Sequence, residues 1–152
     1  MSEAWDVNWS EGLVLMMGPY EMGLTETSPE TEGYWAGVRR GELMIKRCQD
    51  CGDHLYPRRI FCPRCAGDNL EWVQARGRGR VYTFSTVYRA PDRSLPVPYT
   101  NGIVALEEGV YLFGRLTGKP DEEISIDDPV QVEFASVVEG QPRLPVFRVV
   151  AQ

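Results

Sequence analysis

Four cysteines in two close pairs are the residues of this sequence best suited to chemistry. Cys48 and Cys51 are separated by two residues, Cys62 and Cys65 likewise, and ten residues lie between the pairs. Two residues between paired cysteines allow a tight turn to aim both thiolates at one point, and two such turns complete a tetrahedral site. Glycines near each pair, Gly52 and Gly67, suit a backbone that must turn there. The pattern predicts a four-sulfur metal site.

Zinc is the expected metal, ahead of iron, because all four positions are filled and nothing suggests electron transfer. A redox pair and two disulfides are the other interpretations. Glu3 and Asp6 occupy the region where a secretory signal peptide carries positive charge. No apolar run approaches the ~20 residues of a membrane-spanning helix. We therefore expect a cytoplasmic protein, in which disulfides are rare. A closed four-thiolate site leaves no open position for substrate, so its zinc would be structural.

Catalytic motifs are missing from the sequence. His54 is the one histidine, and we expect it in an exposed loop rather than in a triad or on the metal. No nucleophile elbow, phosphate loop or His-Glu-x-x-His motif occurs. An autonomous hydratase or thioesterase would need an acid-base pair drawn from Asp92, Glu107 and Asp127. We predict no catalytic residues.

Positive charge is concentrated in the middle of an acidic chain. The net charge is -6 overall, but it is -7 over residues 1–38, +5 over residues 39–80 and -4 over residues 81–152. Residues 76–80 read Arg-Gly-Arg-Gly-Arg. Arginine forks donate paired hydrogen bonds to phosphate, and glycine lets the backbone approach closely. The segment suits either a compact phosphorylated ligand or a solvated, charged linker.

Four segments position these residues. We expect an N-terminal extension over residues 1–28, rich in tryptophan, that docks on the protein's own body or on a partner. An amphipathic helix follows at 29–42, with Ser28 as its N-cap, Pro29 at its first helical position and Gly41 just beyond its last turn. Residues 43–75 form the metal ribbon. Residues 76–152 carry five short strand-like runs, which favour a small OB-type barrel over a sandwich.

One of these runs alternates aromatic and smaller residues. Tyr82, Phe84 and Tyr88 share one strand face by this periodicity. On an OB barrel such a face can stack nucleic-acid bases. Filling the barrel interior is the more common use of aromatic strand residues, and it is our prediction for these three.

The chain resembles a family of zinc-ribbon plus OB-fold proteins that bears a domain-of-unknown-function name and is associated with acyl-CoA enzymes. The resemblance covers residues 30–150 and is more specific than the cysteines alone. The N-terminal extension of this chain, before Glu30, departs from the family pattern. The matching motifs are Tyr34-Trp35, Arg39 to Leu43, Arg47 to Gly52, Pro57-Arg58, Phe61 to Cys65, Leu70 to Trp72, Gly77 to Ser85 and Gly109 to Leu116.

The resemblance implies a mainly β protein with an N-terminal helix, a rubredoxin-like zinc ribbon and an OB barrel. It implies a required but non-catalytic subunit that assembles with a thiolase, a thiolase-fold acyltransferase or a retro-aldolase acting on CoA thioesters, including those of steroid side-chain breakdown. A CoA thioester would be the shared substrate. By this resemblance, the candidate residues for binding the CoA phosphates are four arginines of the linker and barrel: Arg78, Arg80, Arg89 and Arg93.

A single-stranded nucleic-acid module is the alternative, because ribbons and OB barrels both serve that role. The acidic sequence pI of about 4.9 speaks against it. The sequence names neither the acyl group nor the partner.

Overall fold

A computed structural model describes residues 28–90, 95–136 and 143–151. The predicted extension lies outside the described residues, apart from its last residue, Ser28. No helix within the described ranges is long and apolar enough to cross a membrane. The elements are helix α1 (Glu32–Arg40), ribbon strands β1 (Met44–Cys48), β2 (His54–Leu55) and β3 (Leu70–Gln74), and barrel strands β4 (Arg78–Val87), β5 (Tyr99–Leu106), β6 (Tyr111–Thr117), β7 (Pro129–Ala135) and β8 (Leu144–Val149).

Helix α1 begins three residues later than Pro29, the predicted first position. The carbonyl oxygen of Ser28 accepts hydrogen bonds from the backbone N–H groups of Thr31 and Glu32, at 2.9 and 3.0 Å. The Ser28 hydroxyl lies 3.1 Å from the Thr31 hydroxyl, so it is engaged in this turn and does not cap the helix. The C-terminal end agrees with the sequence: Gly41 adopts a left-handed conformation with φ of 76° and closes the helix.

Small residues on α1 let it lie close to the ribbon. A Cβ atom added at Gly33 would overlap the ring of Trp72 on β3. One added at Gly37 would overlap the side chain of Met44 on β1. The helix therefore rests directly on the ribbon sheet, with its half-buried Tyr34 reaching the barrel core.

The ribbon is a three-stranded antiparallel sheet in the order β2-β1-β3. Cys48 is paired with Leu70 at one end of the β1-β3 ladder, and Met44 with Gln74 at the other. His54 is half-buried in β2 and is paired with Arg47. The prediction of an exposed loop histidine is therefore wrong, because the backbone after the first cysteine pair returns along β1.

The five remaining strands form a closed barrel in the order β4-β5-β6-β8-β7, which confirms the predicted OB-type architecture. Strands β6 and β8 pair in parallel, and the other barrel pairs are antiparallel. Val81, Val104 and Leu112 occupy successive positions on β4, β5 and β6 and point inward. Leu43 of the ribbon base belongs to the same buried cluster. Ribbon and barrel thus share one core.

A β-bulge in β4 changes which aromatic residues face outward. The β4-β5 register shifts between Val81 and Thr83, so Tyr82 points to the solvent and is 57% exposed. Tyr88, beyond the strand end, is exposed as well, and Phe84 alone of the three packs against the core. The prediction that all three fill the barrel is wrong for the two tyrosines. The bulge breaks the alternation at Tyr82, and Tyr88 lies beyond the last residue of β4.

Lys46 joins three parts of the fold. Its ammonium nitrogen Nζ donates to the carbonyl oxygens of Glu30 at 3.0 Å and Arg59 at 2.9 Å, and it lies 4.7 Å from the centroid of the Trp72 ring. Burial lowers the pKa of Lys46, and the nearby Glu30 carboxylate partly offsets that effect. The turn before α1, the ribbon loop and β3 are thereby held together.

We expect Lys46→Met to lower the free energy of unfolding by about 1–3 kcal/mol, because two carbonyl groups lose their donor. Urea denaturation followed by circular dichroism measures the change. Arg40→Met is the matched control, since it deletes a cation from the exposed Arg40–Glu42 ion pair and should cost under about 1 kcal/mol. Equal losses in the two variants would contradict the role assigned to Lys46.

Candidate metal centre and barrel groove

The two cysteine pairs converge as the spacing predicted. The four Sγ atoms of Cys48, Cys51, Cys62 and Cys65 all lie within 4.8 Å of one another. Two of the sulfur–sulfur distances, Cys48–Cys65 and Cys51–Cys62, are 3.6 Å. A tetrahedral zinc with bonds of about 2.3 Å would place its sulfurs about 3.8 Å apart. The cluster therefore has the size and donor set of a four-thiolate zinc site.

Matching backbone turns place the pairs. The N–H of Gly52 donates to the carbonyl oxygen of Cys48 at 2.8 Å, and the N–H of Ala66 donates to that of Cys62 at 2.8 Å. Gly52 and Ala66 are the left-handed residues, with φ of 79° and 60°. Gly67, which the sequence suggested for the second turn, instead accepts a hydrogen bond from the Cys62 N–H at 2.7 Å. A non-glycine residue thus takes the strained position.

The thiols have divergent proton affinities. Burial raises the pKa of Cys62. Hydrogen bonds from the backbone N–H groups of Cys65 and Arg64 and from neighbouring thiols have the opposite and larger effect, so the pKa falls to about 7. The backbone N–H of Gly67 lowers the pKa of Cys65, but the Cys48 thiol and burial prevail and raise it to about 12. Crowded sulfurs cannot all carry negative charge unaided. A divalent cation resolves this, since metal binding replaces the protons.

The ribbon has little apolar core beyond the sulfurs. Its buried cluster consists of Cys48, Leu55 and Cys62, with Cys51 and Leu70 packed against it. Three of these five residues are the proposed ligands themselves. Burial of apolar area is therefore small here, and a bound metal would supply much of the folding energy.

Arg78 and Arg80 lie at the start of β4 and line a groove of about 570 Å³. Both side chains are exposed, and two-residue spacing places them on one face of the strand. The Arg80 guanidinium donates to the backbone oxygen of Asp127 at 2.9 Å. The groove is thus rimmed by two guanidinium groups, one of which is held in place by the loop before β7.

The structure does not bring all four predicted arginines together. Arg89 is exposed beyond the far end of β4, a ten-residue strand that is about 30 Å long at ~3.3 Å per residue. Arg93 lies outside the described residues. Among the described arginines of that set, Arg78 and Arg80 share one groove, and the assignment of phosphate contacts stays a prediction.

Acidic and aromatic residues share this groove. Glu107 and Asp127 line it, although Asp92 lies outside the described residues. Glu107 lies 3.8 Å from the Arg76 guanidinium. Tyr82, which was predicted to fill the barrel interior, instead lines the same groove and packs edge-to-face on Tyr111, with ring centroids 5.0 Å apart. The bulge that turns Tyr82 outward leaves no clear signal in the sequence.

A four-cysteine ribbon joined to a closed five-stranded barrel defines a zinc-ribbon plus OB-fold protein. Two family models match: the ChsH2 rubredoxin-like zinc ribbon domain over residues 35–71 and the ChsH2 C-terminal OB-fold domain over residues 72–135. The chain belongs to this DUF35 family. It is 35% identical over 108 residues to a DUF35 domain-containing scaffold protein of Methanocaldococcus jannaschii, covering 69% of this chain and 77% of the relative.

Other relatives carry enzyme-subunit names. The benzoylsuccinyl-CoA thiolase subunit BbsA of Thauera aromatica is 30% identical, with 66% of this chain and 69% of the relative covered. The "Probable enoyl-CoA hydratase alpha subunit" of Thermomonospora curvata is 31% identical over 76% of this chain, which spans only 36% of that longer protein. Among solved structures, a chain of the Ltp2-ChsH2(DUF35) aldolase superposes with a TM-score of 0.74 at 27% identity, over 82% of this chain and 98% of the other.

We expect the purified chain to contain about one zinc per molecule and Cys62→Ser to contain far less, because loss of one thiolate opens the tetrahedral site. Elemental analysis of material prepared without chelator gives the stoichiometry. Hydrogen exchange should rise across residues 44–74 in the variant. His54→Ala is the control and should keep its zinc. Metal-free wild-type protein would contradict the site.

Proposed function

We propose that this chain is a non-catalytic subunit that binds a thiolase-fold enzyme and helps to position its acyl-CoA substrate. The observation that carries the proposal is the match to nearly the whole of one chain of the Ltp2-ChsH2(DUF35) aldolase. The name of that aldolase joins a DUF35 protein to a second component in one enzyme. A chain of the same architecture is suited to the same kind of assembly, working in a reducing compartment such as the cytoplasm.

The names of two relatives support a CoA thioester as the shared substrate. One is a subunit of benzoylsuccinyl-CoA thiolase and the other of an enoyl-CoA hydratase. The reactions differ, whereas the thioester carrier is common to both names. A scaffold that contacts the CoA portion of the substrate rather than the acyl group explains the common thioester better than a shared catalytic step does. The partner is a thiolase, an acyltransferase or a retro-aldolase, with steroid side-chain thioesters among the candidate substrates.

In the proposed function, the zinc ion has a structural role and no catalytic one. We assign Cys48, Cys51, Cys62 and Cys65 as ligands of one zinc ion. Four sulfurs complete the coordination sphere, so the site offers no position for a water or a carbonyl oxygen. The ion would hold β1 and the two turns in register and leave the reaction to the partner.

Arg78 and Arg80 are the proposed contacts for the phosphate groups of CoA. They are exposed, neighbouring and preceded by the left-handed Gly77, so the rim of the groove is open to a ligand. The carboxylates of Glu107 and Asp127 moderate the local positive charge. A moderate affinity is therefore expected from this chain alone, with the partner completing the site.

A pull-down of the tagged chain from its native host should recover a thiolase-fold protein, and co-expression of the two should give one complex on size-exclusion chromatography. Acyl-CoA turnover should require both proteins, because the chain supplies surface and no reacting group. Turnover by the isolated, zinc-loaded chain would contradict the non-catalytic assignment. Separate elution of two folded proteins, with no gain in activity on mixing, would contradict the assembly.

In that complex, Arg78→Ala combined with Arg80→Ala should weaken CoA binding by about tenfold or more, since charge-assisted hydrogen bonds contribute about 1.5–3 kcal/mol each. Isothermal titration calorimetry with CoA measures the loss. Arg89→Ala removes one guanidinium at the far end of β4 and should leave affinity unchanged. An equal loss in the control would place the phosphates elsewhere.

A single-stranded nucleic acid is the second candidate ligand, favoured by one observation. Tyr82 and Tyr111 are both exposed beside Arg80 on the outer face of the barrel, which is an arrangement that can stack bases. The acidic composition and the enzyme-subunit relatives favour the CoA assignment. Titration of a short oligonucleotide in place of CoA, repeated at rising salt, separates the two ligands.

A further inference from the structure

A second groove, of about 520 Å³, lies where helix, ribbon and barrel meet. Its walls are largely aromatic and apolar, and the arginine groove described above lies apart from it. Phe113 of β6 borders it and is 71% exposed, an unusual position for a phenylalanine in a protein with an intact core. The other principal lining residues are Tyr34, Trp35, Tyr56, Pro57 and Pro145.

The chain itself leads into this groove. Ser28 is the first described residue, and it lines the groove too. The 27 residues before it include Trp5, Trp9, Tyr20 and the apolar run 13–17. A chain of this length can reach about 90 Å when extended, several times the width of such a groove. Its tether also holds it at an effective concentration in the millimolar range.

Charge is complementary as well. Residues 1–27 contain acidic residues and no lysine or arginine. Among the described residues that line the groove, Arg58 carries the one charge, and it is positive. Arg59 follows it and is exposed. An acidic segment with large apolar side chains therefore suits this surface in both polarity and sign.

We propose that residues 1–27 of the same chain occupy the groove, with apolar side chains against Phe113 and Tyr56 and carboxylates towards Arg58. The segment covers an aromatic surface that would otherwise favour self-association. The proposal is independent of CoA binding and of the zinc assignment.

Photocrosslinking tests the occupant directly. Benzoylphenylalanine at position 113 of the full, zinc-loaded chain should crosslink to residues 1–27 of the same molecule, giving a monomer-sized product mapped by mass spectrometry. The same probe at Ile126, exposed in the loop before β7, should not reach that segment. Crosslinks to a second copy, seen as a dimer on a denaturing gel, would overturn the proposal. So would an absence of products within residues 1–27.

Hydrogen exchange tests the contribution of charge. Arg58→Glu places a like charge against the segment, so amide exchange within residues 1–27 should accelerate at least about threefold if docking is lost. Arg89→Glu, the same charge reversal at an exposed position beyond the end of β4, should leave those rates unchanged. Circular dichroism and zinc content check that both variants remain folded. Identical rates in wild type and Arg58→Glu would count against the proposal.

Discussion

The convergence of four sulfurs is the constraint on which the ribbon depends. The ribbon contributes almost no apolar core of its own, so its strands are held where two turns meet around the cluster. β1 carries the first of these cysteines at its end and pairs with β3 along its whole length. β3 presents Trp72, against which α1 rests through Gly33. The metal site therefore helps to fix the position of helix α1 through β1 and β3.

The junction with the barrel makes this arrangement rigid. Leu43, Ile45 and Ala75 stand at the base of the ribbon and are buried in the same cluster as the barrel interior. The ribbon is therefore not a mobile appendage, since moving it would expose part of the main core. Lys46 adds a polar tie at the same level. The two grooves consequently keep a fixed relation to the sulfur cluster.

The sequence predicted the features that depend on local spacing. The cysteine pairs, the left-handed Gly41 and the five barrel strands follow from short-range patterns, and all are present. The failures involve competition or long-range geometry. Ser28 bonds within a preceding turn instead of capping the helix, and a bulge sends Tyr82 outward. Arg80 and Arg89 were both predicted to contact phosphate, but Arg80 lies near the start of the ten-residue strand β4 and Arg89 lies beyond its far end. Nothing local in a sequence encodes these outcomes.

Neither the sulfur cluster nor the arginine groove has the arrangement of a reactive site. Four sulfurs would saturate zinc and remove its Lewis acidity from use. In the arginine groove, Glu107 is engaged with Arg76, and the oxygen that Asp127 offers to Arg80 is its backbone carbonyl. Neither acid is thereby set opposite a second group as an acid-base pair. A molecule built in this way presents charge and shape at fixed positions, which suits the non-catalytic role proposed above.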